Sequence, residues 1–404
     1  MTGYRSVLRS GEFRAVLAAH VCSMLSVIVA DVALSVLVYQ RTGSPLLAAL
    51  TFAAAFVPMG IGAVLLGGIG RGRPTRDVLV VCHLVAAGLV ALLAVPGMPV
   101  PALLALLAAK GLLDPVFTGT RTATLPELVG EDGFPLGRSL LRMMSQNAQF
   151  VGFPVGGVAL LWITPAQALL AAAGGYAASA LLLLVGTRRR PPYARPAPGG
   201  PLTSLRVLLA VPGIRPVLAL SWVPVFFAVA PEAVAIPYAD VLGGGTVAVG
   251  LLLSGLPAGA VLGELLAGSL IAPAARAAAV VPLAVAGFVP VLLFAAAPPL
   301  AAAVALLVLA GAATSYHLGL DQIALATVPE EVRRHAFTIL SGGMMVSQGL
   351  GFAAAGALAE RLPVPVVLPV LAGTGLLLTF AAGVALRRTG RATLTVRDRS
   401  AERR

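Results

Sequence analysis

Apolar residues in this chain form long runs, and polar residues gather in short gaps between them. The first run, FRAVLAAHVCSMLSVIVADVALSVLVYQ at 13–40, sets the pattern, and similar Ala/Leu/Val/Gly runs recur to the end. They lack the strict alternation of a strand, which favours helices. At 1.5 Å rise per residue, about 20 residues cross the hydrocarbon of a bilayer, where the backbone must satisfy its own hydrogen bonds. The runs predict twelve spanning helices: 14–39, 45–69, 77–96, 100–119, 138–162, 165–186, 212–238, 246–271, 275–296, 299–321, 335–359 and 364–387. Two long polar stretches remain, 187–211 and 388–404. The first run is too long for a signal-peptide core and is expected to be retained.

Composition sharpens this picture. The chain of 404 residues is 58% hydrophobic and 11% charged, against about a quarter charged in soluble domains. Its net charge of +12 would ordinarily raise the question of a nucleic-acid partner. Here the arginines sort by side of the membrane instead. With a cytoplasmic N-terminus, the inner segments hold Arg5, Arg9 and Arg14, then Arg71, Arg73 and Arg76, then Arg121, Arg138 and Arg142. They continue with Arg188, Arg189, Arg190, Arg195, Arg206 and Arg215, then Arg276, Arg333 and Arg334, and the tail from Arg387 to Arg404. Only Arg41 and Arg361 fall outside. This positive-inside bias places both termini in the cytoplasm and makes the bilayer, not nucleic acid, the charged partner. The basic tail can add attraction to anionic lipid. Cys22 and Cys82 both fall in predicted helices, so no disulfide framework is expected. No P-loop, H-E-x-x-H or paired C-x-x-C occurs, and GGIGRGR follows a membrane helix, not a strand. The chain is therefore read as no enzyme, with no cofactor and no metal, and with an ion gradient as its energy source.

The chain also repeats itself. RAVLA at 14–18 matches RPVLA at 215–219, and the same shift of 201 places Asp31 on Glu232 and GAVLLG at 62–67 on GELLAG at 263–268. LPELV at 125–129 is similar to VPEEV at 328–332, and MMSQNAQFVGF at 143–153 to MMVSQGLGF at 344–352. The organisation read from this is an N-terminal six-helix bundle (1–186), a cytoplasmic linker (187–211), a pseudo-symmetric C-terminal six-helix bundle (212–387) and a cytoplasmic tail (388–404).

With these features the sequence resembles the major facilitator superfamily over nearly its whole length. RTGSPLLAA after the first helix, TATLPELV after the fourth and VLGGGTVAVGLLLSGLPAGAVLG around the eighth look like the bacterial drug/proton antiporter branch, the multidrug and macrolide exporters. The resemblance implies a monomer of the inner membrane, with a substrate cavity between the bundles that opens alternately to each side. It implies that helices 1, 4, 7 and 10 line the cavity. Three departures stand out. The acid expected in the loop between helices 2 and 3 is Arg71 here, with Asp77 further on, so the gating contact of that loop is lost or rebuilt. The helix 5 motif keeps Gly152, Gly156 and Gly157, but its proline is Pro154. In helix 4, Lys110 matches the basic position, and Asp114 replaces a glycine.

Ionisable groups at membrane depth are the candidate chemistry, since each costs about 2.5–3.5 kcal/mol on insertion scales unless it faces water or a partner. Asp31 and Glu232 are read as matched carboxylates that exchange a proton or bind a cationic substrate. The bland alternative is a neutral or paired structural role for each. Pro224, Pro231 and Pro237 suit a bent helix around Glu232. Lys110 is the only lysine among 28 basic residues, with Asp114 one turn on. The two form either an internal pair with no transport role or, in the cavity wall that the resemblance implies for helix 4, a relay with Asp31 or a site for an anionic substrate group. Glu264 departs from the repeat, where its mate is Ala63. His317 and Asp321 share a helix face near the inner end of helix 10 and read as an interfacial helix end or a titrating pair. Gln146, Asn147, Gln149 and Gln348 either bond substrate or bond across helices. His20 and His83 read as core. The function expected is proton-coupled export of a small organic molecule, with small-molecule substrate and protons as partners. The alternatives are an importer or uniporter of the same fold, or a transport-inactive receptor or scaffold.

Overall fold

The computed structural model describes residues 7–66, 73–130, 133–190, 208–329 and 333–401, with side chains to 388. Arg71 and most of the 187–211 stretch lie outside the described residues. Among the described residues there are helices and no strands. The helices are α1 Gly11–Thr42, α2 Pro45–Leu65, α3 Thr75–Leu93, α4 Val100–Val129, α5 Phe134–Ala159 and α6 Pro165–Gly186. They continue as α7 Ile214–Val241, α8 Gly245–Leu270, α9 Ala275–Ala296, α10 Leu300–Thr327, α11 Arg333–Ala359 and α12 Val364–Ala401. Eleven of these are long and apolar enough to cross a membrane, which makes this a multi-pass membrane protein. The other one, α5, is long enough but carries the polar stretch SQNAQ.

Helix starts are encoded locally. The Ser10 hydroxyl accepts from the Phe13 N–H at 3.2 Å. Before α2, Gly43 turns the chain at φ 63°, and Ser44 accepts from the Leu47 N–H with Pro45 at the first helical position. Thr164 and Gln167 form a capping box ahead of α6.

Several helices outrun the expected spans, because apolar content ends before the hydrogen-bonded ladder does. The expectation for helix 4 stops at 119, yet α4 runs ten residues further, through TRTATLPEL, to Gly130 at φ 74°. Within that extension the Thr122 and Thr124 hydroxyls donate to carbonyls one turn back, both at 2.8 Å. Arg121 therefore belongs to a helix and not to a loop. Likewise α5 starts at Phe134, four residues before the expected 138, and α10 runs to Thr327, six past the expected 321. Three helices are broken. The breaks in α7 fall at Val229 and Val234, on either side of Pro231 and Glu232, and Pro237 follows. A proline lacks the N–H that would bond the carbonyl four residues back. A short 3-10 stretch, Ala313–Ser315, interrupts α10, and another, Leu293–Ala296, ends α9.

Packing relies on small residues that let backbones approach closely, since lipid tails offer no hydrophobic drive between helices. In the first half of the chain α1 and α3 pack on α6, burying Ala33, Leu34, Val90, Leu169 and Ala172. In the second half α7, α9 and α10 bury Val217, Leu220, Val280 and Leu320. Two seams join the halves, α2 against α11 and α5 against α8. Along the first, a Cβ on Gly342 would sit 3.0 Å from the Gly60 carbonyl oxygen. A shared core of Val32, Val36, Phe52, Val234, Leu252 and Phe352 joins both halves. It lies toward the arginine-poor ends of the helices. At the arginine-rich end, Arg190 grips Glu12 through two bonds of 2.8 and 3.1 Å, and Arg189 meets Asp77 at 2.8 Å. The segment after α6 thus straps the first turns of α1 and α3.

Candidate functional site

A cavity runs between the two halves as two joined lobes, of about 610 and 510 Å³. Gln149, Val229, Glu232 and Gln348 line both lobes and mark the waist. Toward the arginine-poor end the floor is aromatic: Phe352 stacks on Phe52 at 4.9 Å and on Phe56 at 5.6 Å. Toward the arginine-rich end the lining reaches Arg121 in one lobe and Arg138 and Asp321 in the other.

Helix period and helix breaks place the chemistry. Asp31 is half-buried on α1 and lines the smaller lobe. Glu232 is half-buried on the short turn between the two breaks of α7 and lines both lobes. The two carboxylates that the repeat superimposes therefore reach the same cavity. Their surroundings differ: Asp31 has Lys110 and Asp114 as charged neighbours, whereas Glu232 is in none of the ion pairs of the described residues.

Lys110 and Asp114 form an ion pair of 2.9 Å. Asp114 reaches the smaller lobe, but Lys110 is buried behind it at 5% exposure and lines neither lobe. Its ammonium also lies 5.9 Å from the Tyr176 ring centre. The expectation that Lys110 sits in the cavity wall is thus replaced by a lysine held within the first half. Glu264, His317 and Asp321 line the larger lobe, and the His317 Nδ1–H donates to the Thr314 carbonyl at 2.9 Å. Gln146, Gln149 and Gln348 line the cavity, and the buried Gln348 Oε1 has no partner among the described residues. Asn147 is exposed and lines neither lobe.

The glycine positions of α5 are contact points. Gly152 and Gly156 face Ile28 and Val32 of α1. Gly157 meets Gly250 of α8, where a Cβ on Gly250 would sit 2.6 Å from the Phe153 carbonyl oxygen and 3.1 Å from the Pro154 Cα. Asp77 pairs with Arg189 and, at 3.7 Å, with Arg76.

Two residues read as an inner-loop charge and as core belong to the cavity. Arg121 and His20 both line the smaller lobe and touch each other, Arg121 Nη1 against His20 Nδ1. A usable signal was present, since Lys110, Asp114, Phe117 and Arg121 follow i, i+4, i+7, i+11 spacing and so share one helix face. Cys22 and Cys82 are free thiols. Among the described residues no cluster of His, Cys, Asp and Glu could hold a metal ion.

A cavity walled by helices from both halves, with Glu232 at its waist and Asp31 in its smaller lobe, fits a membrane transporter of the major facilitator type. The chain belongs to the family described as transmembrane secretion effector, whose model matches residues 2–401. Among curated proteins none matches it. Solved structures share the fold. A POT family transporter in complex with 5-aminolevulinic acid aligns at TM-score 0.73 with 11% identity, over 93% of this chain and 96% of that one. A nucleoside transporter aligns at 0.69 with 14% identity, over 92% and 99%. A bacterial homolog of the human lysosomal transporter Spinster, inward-facing and unoccupied, aligns at 0.61 with 16% identity, over 96% of each chain.

Proposed function

We propose that the protein exports a small organic molecule by proton-coupled alternating access. One observation carries this reading: Asp31 and Glu232, matched by the internal repeat, are both half-buried in the wall of one cavity joining the halves. A carboxyl group among apolar side chains holds its proton more tightly than one in water, so such a group can load and unload a proton as the surrounding water changes. On this reading α5 is the twelfth spanning helix. Its polar stretch faces the cavity, which accounts for Gln146 and Gln149 there. The helices then group as two six-helix bundles, 1–186 and 212–387, joined by a cytoplasmic linker, with a cytoplasmic tail at 388–404. The arginine-rich end faces the cytoplasm of a bacterial inner membrane. The cavity, floored by Phe52, Phe56 and Phe352, is then poised to load from the cytoplasm, as export requires.

The glycine contacts Gly152–α1 and Gly157–Gly250 are the bearing on which the bundles rock, and Asp77 with Arg189 is the rebuilt loop contact. Uptake is the second reading, favoured by the peptide and nucleoside transporters that share the fold. The test is transport in proteoliposomes with an imposed pH gradient. Asp31→Asn should abolish gradient-driven movement while the protein stays folded and monomeric. Unchanged gradient-driven transport by that variant would remove Asp31 as the proton site. The direction of accumulation, with the lumen acid or alkaline, separates export from uptake.

A further inference from the structure

We propose that Arg121 and His20 form an anion subsite in the smaller lobe, which takes an oxyanion group of the solute: carboxylate, phosphate or sulfonate. This deepens the transport reading by naming a substrate class, and it rests on that reading for the cavity being the solute's path.

The stripe along α4 supplies the contrast. Lys110 has a carboxylate at 2.9 Å and is buried behind the wall. Arg121, eleven residues on and about 16 Å further along the same face, has none. Its contacts among the described residues are the Phe117 ring, 5.0 Å from the guanidinium carbon, and His20, and His83, in the same lobe, is near enough to feel its charge. None of the ion pairs of the described residues includes it. An arginine only donates, so His20 Nδ1 must accept, and the ring proton sits on Nε2. That Nε2–H points to Ser145 Oγ at 2.8 Å and to the Leu141 carbonyl at 3.2 Å. The histidine thus meets Arg121 as a neutral acceptor and cancels none of its charge.

Donors remain. The Arg121 Nε is buried with no partner, and Nη1 is the one nitrogen that meets an acceptor on another residue. A cation withdrawn from water without a counter-ion is unfavourable, and a planar guanidinium held between a ring and a fixed imidazole is preorganised for a two-pronged oxyanion contact. Thr118, exposed on the same wall, offers a hydroxyl beside it. Asp31 lies on α1 eleven residues from His20, on the same helix face and about 16 Å away. A solute spanning that length would present its anionic end to Arg121 and a neutral or cationic end to Asp31.

The test uses purified full-length protein in zwitterionic detergent, with sulfate, inorganic phosphate and benzoate as probes and chloride at matched ionic strength as reference. We expect each oxyanion to raise the melting temperature above the chloride reference. The apparent affinity should weaken about tenfold or more in Arg121→Gln and be unchanged in Arg276→Gln, which alters a half-buried arginine outside both lobes, bonded to backbone carbonyls. If Arg121→Gln does not fold, phenylglyoxal labelling of the wild type decides the matter. Peptide mapping should find Arg121 modified, and less so with sulfate present. No oxyanion-specific stabilisation, full retention in Arg121→Gln, or labelling that sulfate does not slow would each overturn the subsite. Protection in phosphatidylglycerol nanodiscs without any soluble anion, and absent with sulfate in phosphatidylcholine, would assign the contact to lipid headgroups and also overturn it. None of these readouts needs transport, so the subsite can fail while proton-coupled export stands, and the reverse.

Discussion

Asp31 and Glu232, which the sequence repeat superimposes, stand in different electrostatic settings of one cavity. In the smaller lobe the acid is surrounded by mixed charge: Asp31 near a lysine–aspartate pair, with Arg121 further down the wall. Glu232, at the waist between the lobes, is in none of the ion pairs of the described residues, and its helix is broken on both sides of it. The repeat aligns the two acids in sequence, and their settings differ. On the proposed mechanism this separates two tasks that a single carboxylate does poorly together. The state of Asp31 answers to the Lys110–Asp114 pair as well as to its burial. Glu232 is sensitive to whether water reaches it.

The largest expected effect tests that division directly. Asp31→Asn and Glu232→Gln should each lower gradient-driven transport about 100-fold, within the range for loss of a proton-transferring group. Only one of them should also abolish gradient-independent exchange of solute. Equal effects of both on both assays would mean that the lobes do not divide the work.

Next in size is stability. Lys110→Ala leaves Asp114 without its partner and should cost about 1–3 kcal/mol. That is less than for a fully buried pair, because the Asp114 side chain is 32% exposed. The double change Lys110→Met with Asp114→Leu should recover most of it, read as the melting temperature of the detergent-solubilised protein. Glu232→Gln should leave that temperature unchanged or raise it, since no described partner is lost. A smaller effect is expected from Pro231→Ala, which restores an N–H beside Glu232 and should slow turnover about threefold by straightening α7, with little change in substrate affinity. An unchanged rate there would show that the break is only local packing.

Much of the architecture was legible because lipid forces it. Apolar runs of sufficient length, a proline or a Ser-Pro or Thr-Pro step at the turn, and arginines on one side left few alternatives for most helices. The extension of α4 was not legible by that route. Its last ten residues are too polar to read as a span and include Pro126, yet the helix runs through that proline to Gly130. Ending the helix at 119 moved Arg121 into a loop and hid its place on the Lys110–Asp114–Phe117 face. His20 was hidden for a different reason. Its partners Arg121 and Ser145 lie more than a hundred residues away in sequence, and one chain without its fold cannot report such a meeting. Asp31 and Glu232 were recoverable because the repeat names them as a pair. Lys110 was misplaced into the cavity wall because helical spacing gives the face a residue shares but not its depth.

At the seam where Gly60 meets Gly342, any side chain on Gly60 would drive into the Gly342 backbone and push the two helices apart. The lobe walls carry no such prohibition, since their residues border open volume. Adaptation to a new cargo is therefore channelled: sequence drift can remodel what the lobes recognise while the joint between the halves stays frozen, and the same moving frame can be handed from one solute to the next.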